Sequence, residues 1–332
     1  MDYGLIIKSM FSVHPGYSPR ALKNKLKFLL LVAQHRSALT SFFSRMTNAL
    51  GASGVEKLGV DCIGVVQWPY ISKTWSAEER LNVIASHYEV VTENCPQLLL
   101  FGRDDRLKLG DVSEWAEGCS LVLDRPIWFM REGELVLNLF QADLRIASIA
   151  FTLCRTEEGL CLFVGAVQGI HKGIDSDTSL TIYRDLTKAF EGLRPRSFVI
   201  EVLKHVAARI GVARIYAVGD AFRHHRHPYF GAKKAQELAA NYDVIWLEHG
   251  ATPANREDFF EIPMAPSNKP LETIAAKKRA MYRRRYELLD STFEKINNVL
   301  ITSAVPTAAV HENTLDDAAV GLPAVTINRN DI

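Results

Sequence analysis

The stretch from residue 120 to residue 169 constrains the fold most. It holds four apolar runs, the last three parted by breaks too short for anything but turns. The runs are SLVLD from Ser120, ELVLNLF (134–140), RIASIAFTLCR (145–155) and GLCLFVGAVQG (159–169), and the breaks are QADL and RTEEG. A parallel crossover needs a dozen or more residues, so these breaks leave only antiparallel hairpins. The segment predicts a meander.

Beyond the polar loop HKGIDSDTSL, the patterns TIYRDLTKAFEGL and RPRSFVIEVLKHVAARIG are helical, broken at Gly192 and Pro195 and closed by Gly211. VARIYAVGD has strand length and is expected in the same sheet. AKKAQELAANY reads as a helix, DVIWLEHG and DFFEIPM as strand-like, and 271–299 as a last helix. Upstream, residues 17–50 predict one or two helices closed by Gly51 and Gly54. Ser76 followed three residues later by Glu79 predicts a capping box opening an amphipathic helix. The sum is an α+β chain: a mixed, mostly antiparallel sheet flanked by helices, with a helical N-terminal region. Three parts are expected: 1–115, mainly helical and packed on the core; 116–300, an α/β core ending in a basic helix; and 301–332, a tail without sustained period, expected to be disordered.

An apolar content of 48% in 332 residues is enough to bury a real core. Lysine and arginine (39) exceed aspartate and glutamate (38) by one, so the whole-molecule charge gives no general reason to expect nucleic acid or anionic membrane as a partner. Any such partner needs a local patch. Five cysteines without a CxxC pair point to a reducing compartment. No secretory signal is expected, since LKNKLKFLLLVAQ lacks a long apolar core and a small-residue cleavage site. No run reaches the roughly 20 apolar residues that span a bilayer. The expected location is the cytoplasm, with contact at the inner membrane's surface left open; the stretch LKNKLKFLLL is itself compatible with an anionic surface.

Three constellations carry candidate chemistry. The first is FRHHRHPYFG (222–231). Zinc held by helical histidines uses spacings such as HExxH. His224, His225 and His227 do not provide it, and Arg223 and Arg226 oppose a cation, so no metal is expected. His225 and His227 stand as candidate acid–base groups on a loop after a strand, against the alternative of a solvated loop.

The second is AAKKRAMYRRRYELLD (275–290), with Lys277, Lys278, Arg279, Arg283, Arg284 and Arg285. At about 100° per residue, Lys277, Arg284 and Arg285 fall within about 60° of the apolar stripe of Ile274, Met281 and Leu288. Cations so placed snorkel, pair with carboxylates or face an anionic ligand: a phosphate, a lipid headgroup or RNA. The third is VGAVQGIHKG. A strand running into a loop of amide donors resembles the pyrophosphate cradle of GNAT-type acyltransferases; Gln168 and Gly173 meet part of the Q/R-x-x-G-x-G/A signature, and Gln168, Gly169 and Gly173 are expected near the cofactor phosphates. That resemblance implies acyl-CoA as cofactor, and the meander followed by helix, strand, helix and two strands is similar to the GNAT order. His171 occupies a glycine position of the signature. Glu201 and Asp220 are further carboxylates that nothing singles out, and no G-x-S-x-G elbow, Walker loop or Rossmann fingerprint occurs.

The segments RLNVIASHYEVV, VQG (167–169), LTKAFEGLRPRSFVIEVL, YDVIWLEHG and KKRAMYRRRYELLD together resemble the bacterial VirK/YbjX family, from about residue 70 to 295. The family has no assigned biochemical activity, and the resemblance supplies no catalytic residues. It implies a cell-envelope accessory role, linked to virulence, to surface placement of an outer-membrane protein and to tolerance of cationic antimicrobial peptides.

Overall fold

The four alternating runs are strands β2 (Cys119–Asp124), β3 (Leu135–Gln141), β4 (Leu144–Thr156) and β5 (Gly159–Gln168), paired antiparallel in sequence order. The structure is a computed structural model that describes residues 3–171, 173–231 and 240–300, without the side chains of 59–61. The tail expected to be disordered lies outside these residues, as does most of AKKAQELAANY.

The remaining strands complete one eight-stranded sheet in the order β1-β2-β3-β4-β5-β6-β8-β7. Strand β1 (Arg106–Asp111) pairs with β2, and β6 (Arg214–Val218) lies parallel to β5. Strands β7 (Thr252–Pro253) and β8 (Phe259–Ile262) close the far edge. Among the described residues β5–β6 is the one parallel pair. It needs the long crossover made by helices α5 (Ser176–Ala189) and α6 (Pro195–Arg209). Gly192 turns the chain between these helices at φ 78°, and Pro195 opens α6, where a missing N–H costs nothing.

The N-terminal region is helical, as expected: α1 (Tyr3–Val13), α2 (Pro19–Gln34), α3 (Arg36–Cys62) and α4 (Ala77–Asn94). Gly51 interrupts α3 at φ 69°, while Gly54 continues it. Ser76 and Glu79 form both bonds of the capping box at the start of α4. That helix packs on β4 and supplies what the strand's free edge lacks. The amides of Leu153 and Arg155 donate to His87 Nδ1 (3.2 Å) and Ser86 Oγ (2.8 Å). Two buried rows meet where Ile149, Phe151, Leu162 and Val164 are fully enclosed, each contributing about 2 kcal/mol of apolar burial.

One element departs from the sequence reading. DVIWLEHG is not a strand but the core of helix α7 (Tyr242–Glu248), capped by the Asn241 side chain. Its buried residues Tyr242, Ile245 and Trp246 fall at helical spacing, and seven residues with a cap settle for a helix over a strand. The last helix, α8 (Ala276–Val299), buries Leu288, Leu289, Thr292 and Ile296.

Candidate functional site

The site grows from the parallel pair. Cys161 to Val164 of β5 lie beside Arg214 to Ala217 of β6, and there the pairing ends, while β5 runs on to Gln168. Ligands of open sheets collect outside the carboxyl ends of parallel strands, where such neighbours part. Gly165 sits at the irregularity opposite Ala150 and Phe151. A side chain there is impossible, because its Cβ would stand 2.1 Å from the carbonyl oxygen of Glu132. The segment before β3 therefore lies directly on β5, and Glu132 is driven into the interior. Gln168 Nε2 donates to Glu132 Oε2 at 2.9 Å.

The histidine loop comes to the same place from β6. Residue Ile71, at φ 54°, ties the two loops together: its amide donates to the Arg131 carbonyl and its carbonyl accepts from the His224 amide. A β-branched residue with positive φ is strained, and strain of this kind gathers at functional sites. The link puts His225 Nδ1 3.7 Å from Glu132 Oε1, with the His224 ring 3.8 Å from that of His225. Burial raises the pKa of Glu132 to about 8, against the opposing pull of Arg223 and the Gln168 hydrogen bond. His224 is fully enclosed, its pKa held well below the ordinary histidine range by burial, and its Nδ1 makes no hydrogen bond among the described residues.

Of the two histidines marked as acid–base candidates, only His225 reaches this carboxylate. His227 turns away, and its Nδ1 accepts from the Tyr229 amide at 3.0 Å. Burial, with Arg80, Lys27 and Lys73 nearby, lowers its pKa. Glu132, His224 and His225 offer atoms within 4.8 Å of one another, close enough in principle to ligate a metal. Arg131 and Arg223 stand against the same histidine, however, and Arg223 against Glu132. Their field opposes a divalent cation, so the cluster's donor set fits proton transfer better than metal binding.

A second half adjoins the first through consecutive residues, Gln168 and Gly169. Gly169 lines a pocket of about 450 Å³ between α5 and α6, closed by Tyr183, Arg184, Arg194, Arg196 and His249. Arg184 and Arg196 make no hydrogen bond among the described residues, and Arg194 reaches Glu248 only at 3.5 Å between exposed groups. Ser197 Oγ stands 3.4 Å from His249 Nε2 at the first turn of α6, whose unpaired amides favour negative charge. Tyr242 links the halves. Its hydroxyl accepts from the Val167 amide at 3.2 Å, the Arg223 guanidinium covers its ring at 3.6 Å, and burial, then Glu132, raise its pKa while Arg223 and Arg196 oppose.

The loop after β5 is not an open amide cradle. The Ile170 amide donates to the Tyr183 hydroxyl (2.7 Å) and the Gly173 amide to His171 Nδ1 (3.0 Å). Of Gln168, Gly169 and Gly173, only Gly169 faces the pocket. The basic helix stands elsewhere. Arg284 grips Glu191 with two hydrogen bonds, Arg285 donates twice to the Glu191 carbonyl, and Arg279 donates to the Ile274 and Glu272 carbonyls. Arg284 and Arg285 hold α8 to the α5–α6 turn, and Arg279 ties the start of α8 to the segment before it. Lys277, Lys278 and Arg283 are exposed and make no such bonds.

Sequence reading missed Glu132, the three pocket arginines, Tyr242 and His249. A signal existed for some of them, since VQG, LTKAFEGLRPRSFVIEVL and YDVIWLEHG, three of the segments that carry the VirK/YbjX resemblance, all converge on this pocket. A family model described as "Protein of unknown function (DUF535)" matches residues 18–298. The chain belongs to that family. Among DUF535 relatives, the "Uncharacterized protein YbjX" of Escherichia coli (strain K12) is 28% identical over 227 residues, covering 67% of each chain. An "Uncharacterized protein" of Haemophilus influenzae (strain ATCC 51907 / DSM 11121 / KW20 / Rd) is 27% identical over 227 residues, covering 67% of this chain and 71% of its own. These matches support the VirK/YbjX resemblance, and no solved structure matches the DUF535 chain. Among the described residues no helix is long and apolar enough to cross a membrane.

Proposed function

We propose that this DUF535 chain is a GNAT-like, acyl-CoA-dependent acyltransferase acting on an amine-bearing envelope precursor. One observation carries the reading: at the carboxyl end of the parallel pair β5–β6, an acid–base carboxylate and an arginine-lined pocket adjoin through Gln168 and Gly169. The element order is close to the GNAT resemblance: after the meander β2–β5 come two helices, α5 and α6, where that order has one, then β6, α7 and the strands β7 and β8. Order alone implies no activity, so the site must carry the argument.

In this reading Arg184, Arg194 and Arg196 receive the donor's phosphates, as guanidinium groups do wherever phosphate is recognised. The acceptor nitrogen attacks the thioester carbonyl. A C–N bond forms, the C–S bond breaks, and the nitrogen's proton passes to the Glu132–His225 pair and then to the leaving thiolate. A carboxylate whose acid has a pKa near 8 is a stronger base than an ordinary one once ionised. The test is release of free thiol from acetyl-CoA and from a long-chain acyl-CoA with polyamines or lipid amines as acceptors. Turnover that Glu132→Gln abolishes supports the reading, and turnover unchanged by Glu132→Gln removes this pair from the chemistry.

A second reading, an accessory factor meeting an anionic ligand or headgroup through α8, rests on exposed Lys277, Lys278 and Arg283. It is weakened by the internal bonds of Arg279, Arg284 and Arg285. Charge reversal of the three exposed cations tests it by loss of phosphate or lipid binding.

A further inference from the structure

Helix α2 carries two apolar faces where a packing helix needs one. Phe28 and Val32 point into the core, each buried, and account for its attachment. Leu22, Leu26, Leu29 and Leu30 occupy a different stripe, roughly 100° of arc at about 100° per residue, and all four are exposed, Leu26 at 61% and Leu30 at 64%. Beside that stripe stand Arg20, Lys23 and Lys27, also exposed.

The preceding helix extends the patch. Tyr3, Ile7 and Phe11 repeat every four residues along α1 and are exposed, with Tyr17 on the connecting turn. Lys25 fixes this arrangement. Its ammonium donates to the Gly16 carbonyl at 2.6 Å and sits 4.0 Å from the Phe11 ring and 4.6 Å from the Tyr17 ring. Since Leu22 and Leu29 are its neighbours at helical spacing of three and four, the aromatic and leucine stripes adjoin. A contiguous exposed apolar surface on a folded protein marks an interaction site.

Charge identifies the occupant. From residue 3 to residue 55 the chain has seven lysines and arginines and no aspartate or glutamate, although the whole chain is nearly neutral. A protein partner recognised by an apolar groove does not require such a one-sided field. A leucine face with lysines along its border is the design of a helix lying in the plane of an anionic bilayer, with leucines at acyl-chain depth and cations among the headgroups.

We infer that the α1–α2 hairpin docks this protein on an anionic lipid surface, with Leu22, Leu26, Leu29 and Leu30 inserted and Arg20, Lys23 and Lys27 at the headgroups. The surface is separate from the arginine pocket, so this inference stands or falls independently of the acyltransferase reading. It gives that enzyme, if it is one, an acceptor presented at the membrane.

The test is flotation of the full chain with phosphatidylcholine vesicles, with and without about one-third phosphatidylglycerol. The full chain is expected to float with the anionic vesicles and not with the neutral ones. Lys23→Glu/Lys27→Glu should weaken binding by at least about fivefold per lost cation. Leu26→Ser/Leu30→Ser should remove it without changing far-UV circular dichroism, since both positions are exposed. The α8 variant Lys277→Glu/Lys278→Glu/Arg283→Glu serves as control and is expected to keep binding. Absence of binding to anionic vesicles, or binding that both α2 variants retain, overturns the inference. So does a concentration-dependent dimer of the full chain that Leu26→Ser/Leu30→Ser dissolves, which assigns the face to a second copy.

Discussion

His225 Nδ1 lies 3.7 Å from Glu132 Oε1, joining a loop after β6 to a carboxylate at the head of β3. The two residues are remote in sequence and meet because Gly165 lets the Glu132 backbone lie on β5. Burial keeps the Glu132 proton bound up to about pH 8 in the folded protein, whereas the unfolded chain releases it near its ordinary value of 4.5. The folded state thus holds more protons between those values, and this group's contribution to stability falls as pH rises from 4.5 to 8. Glu132→Gln is expected to gain about 1 kcal/mol or more at pH 8 and nothing at pH 4, read by urea unfolding at both pH values. In the acyl-transfer reading the same substitution is expected to abolish turnover, a stability gain set against an activity loss.

In the acyl-transfer reading, proton acceptance by Glu132 would give the activity a pH signature. There kcat/KM rises with pH as this carboxyl ionises, with a midpoint near 8. A profile governed instead by an ordinary histidine would turn near pH 6.5.

The pocket arginines should act on binding and leave the fold alone. Each charge-assisted contact is worth about 1.5–3 kcal/mol, so Arg194→Ala and Arg196→Ala each weaken acyl-CoA binding about 10- to 100-fold. Arg194 is exposed and Arg196 half-buried, and melting temperatures of both variants should stay within a few degrees of the parent.

Below the site lies a second buried charge cluster. Glu134 accepts from Arg125 (3.2 Å), Tyr88 (2.6 Å) and Tyr70 (3.1 Å), all enclosed between α4 and the sheet. Burial pushes the Glu134 pKa up, but Arg125, His87 and the Tyr88 hydroxyl outweigh it and leave it lowered. Removing one partner strands the other's charge, so Arg125→Met is expected to cost about 3–5 kcal/mol in urea unfolding.

His87, in the same layer, makes stability fall in acid. Burial lowers its pKa from 6.5 to about 4, and its Nδ1 must stay unprotonated to accept from the Leu153 amide. Stability from this group is complete above pH 6.5 and is lost as pH falls from 6.5 towards 4. In a pH series of unfolding curves, His87→Ala should be less stable by about 1–3 kcal/mol at pH 7 and show a shallower decline below 6.5.

Period and punctuation made the scaffold legible: the meander, the capping box at Ser76, the break at Gly51 and the α5–α6 crossover all follow from local patterns. Strand β1 escaped because RLKLGD alternates weakly and buries only Leu109. The α7 segment deceived because a seven-residue apolar run has too few turns for its period to show. Of the site, His225 was visible through its loop, but Glu132 was not, since its partner lies some ninety residues away and only the strand register brings them together. The six cations between residues 277 and 285 were visible as a group, yet the internal bonds of Arg284 and Arg285 depend on Glu191, a turn residue whose position no sequence pattern reveals.

The most direct measurement is titration calorimetry of the full chain with acetyl-CoA and with a long-chain acyl-CoA, beside Arg194→Glu/Arg196→Glu. The account predicts heat with at least one thioester, weakening with salt and lost in the double variant. No heat with either thioester, or equal heat in the double variant, would contradict it.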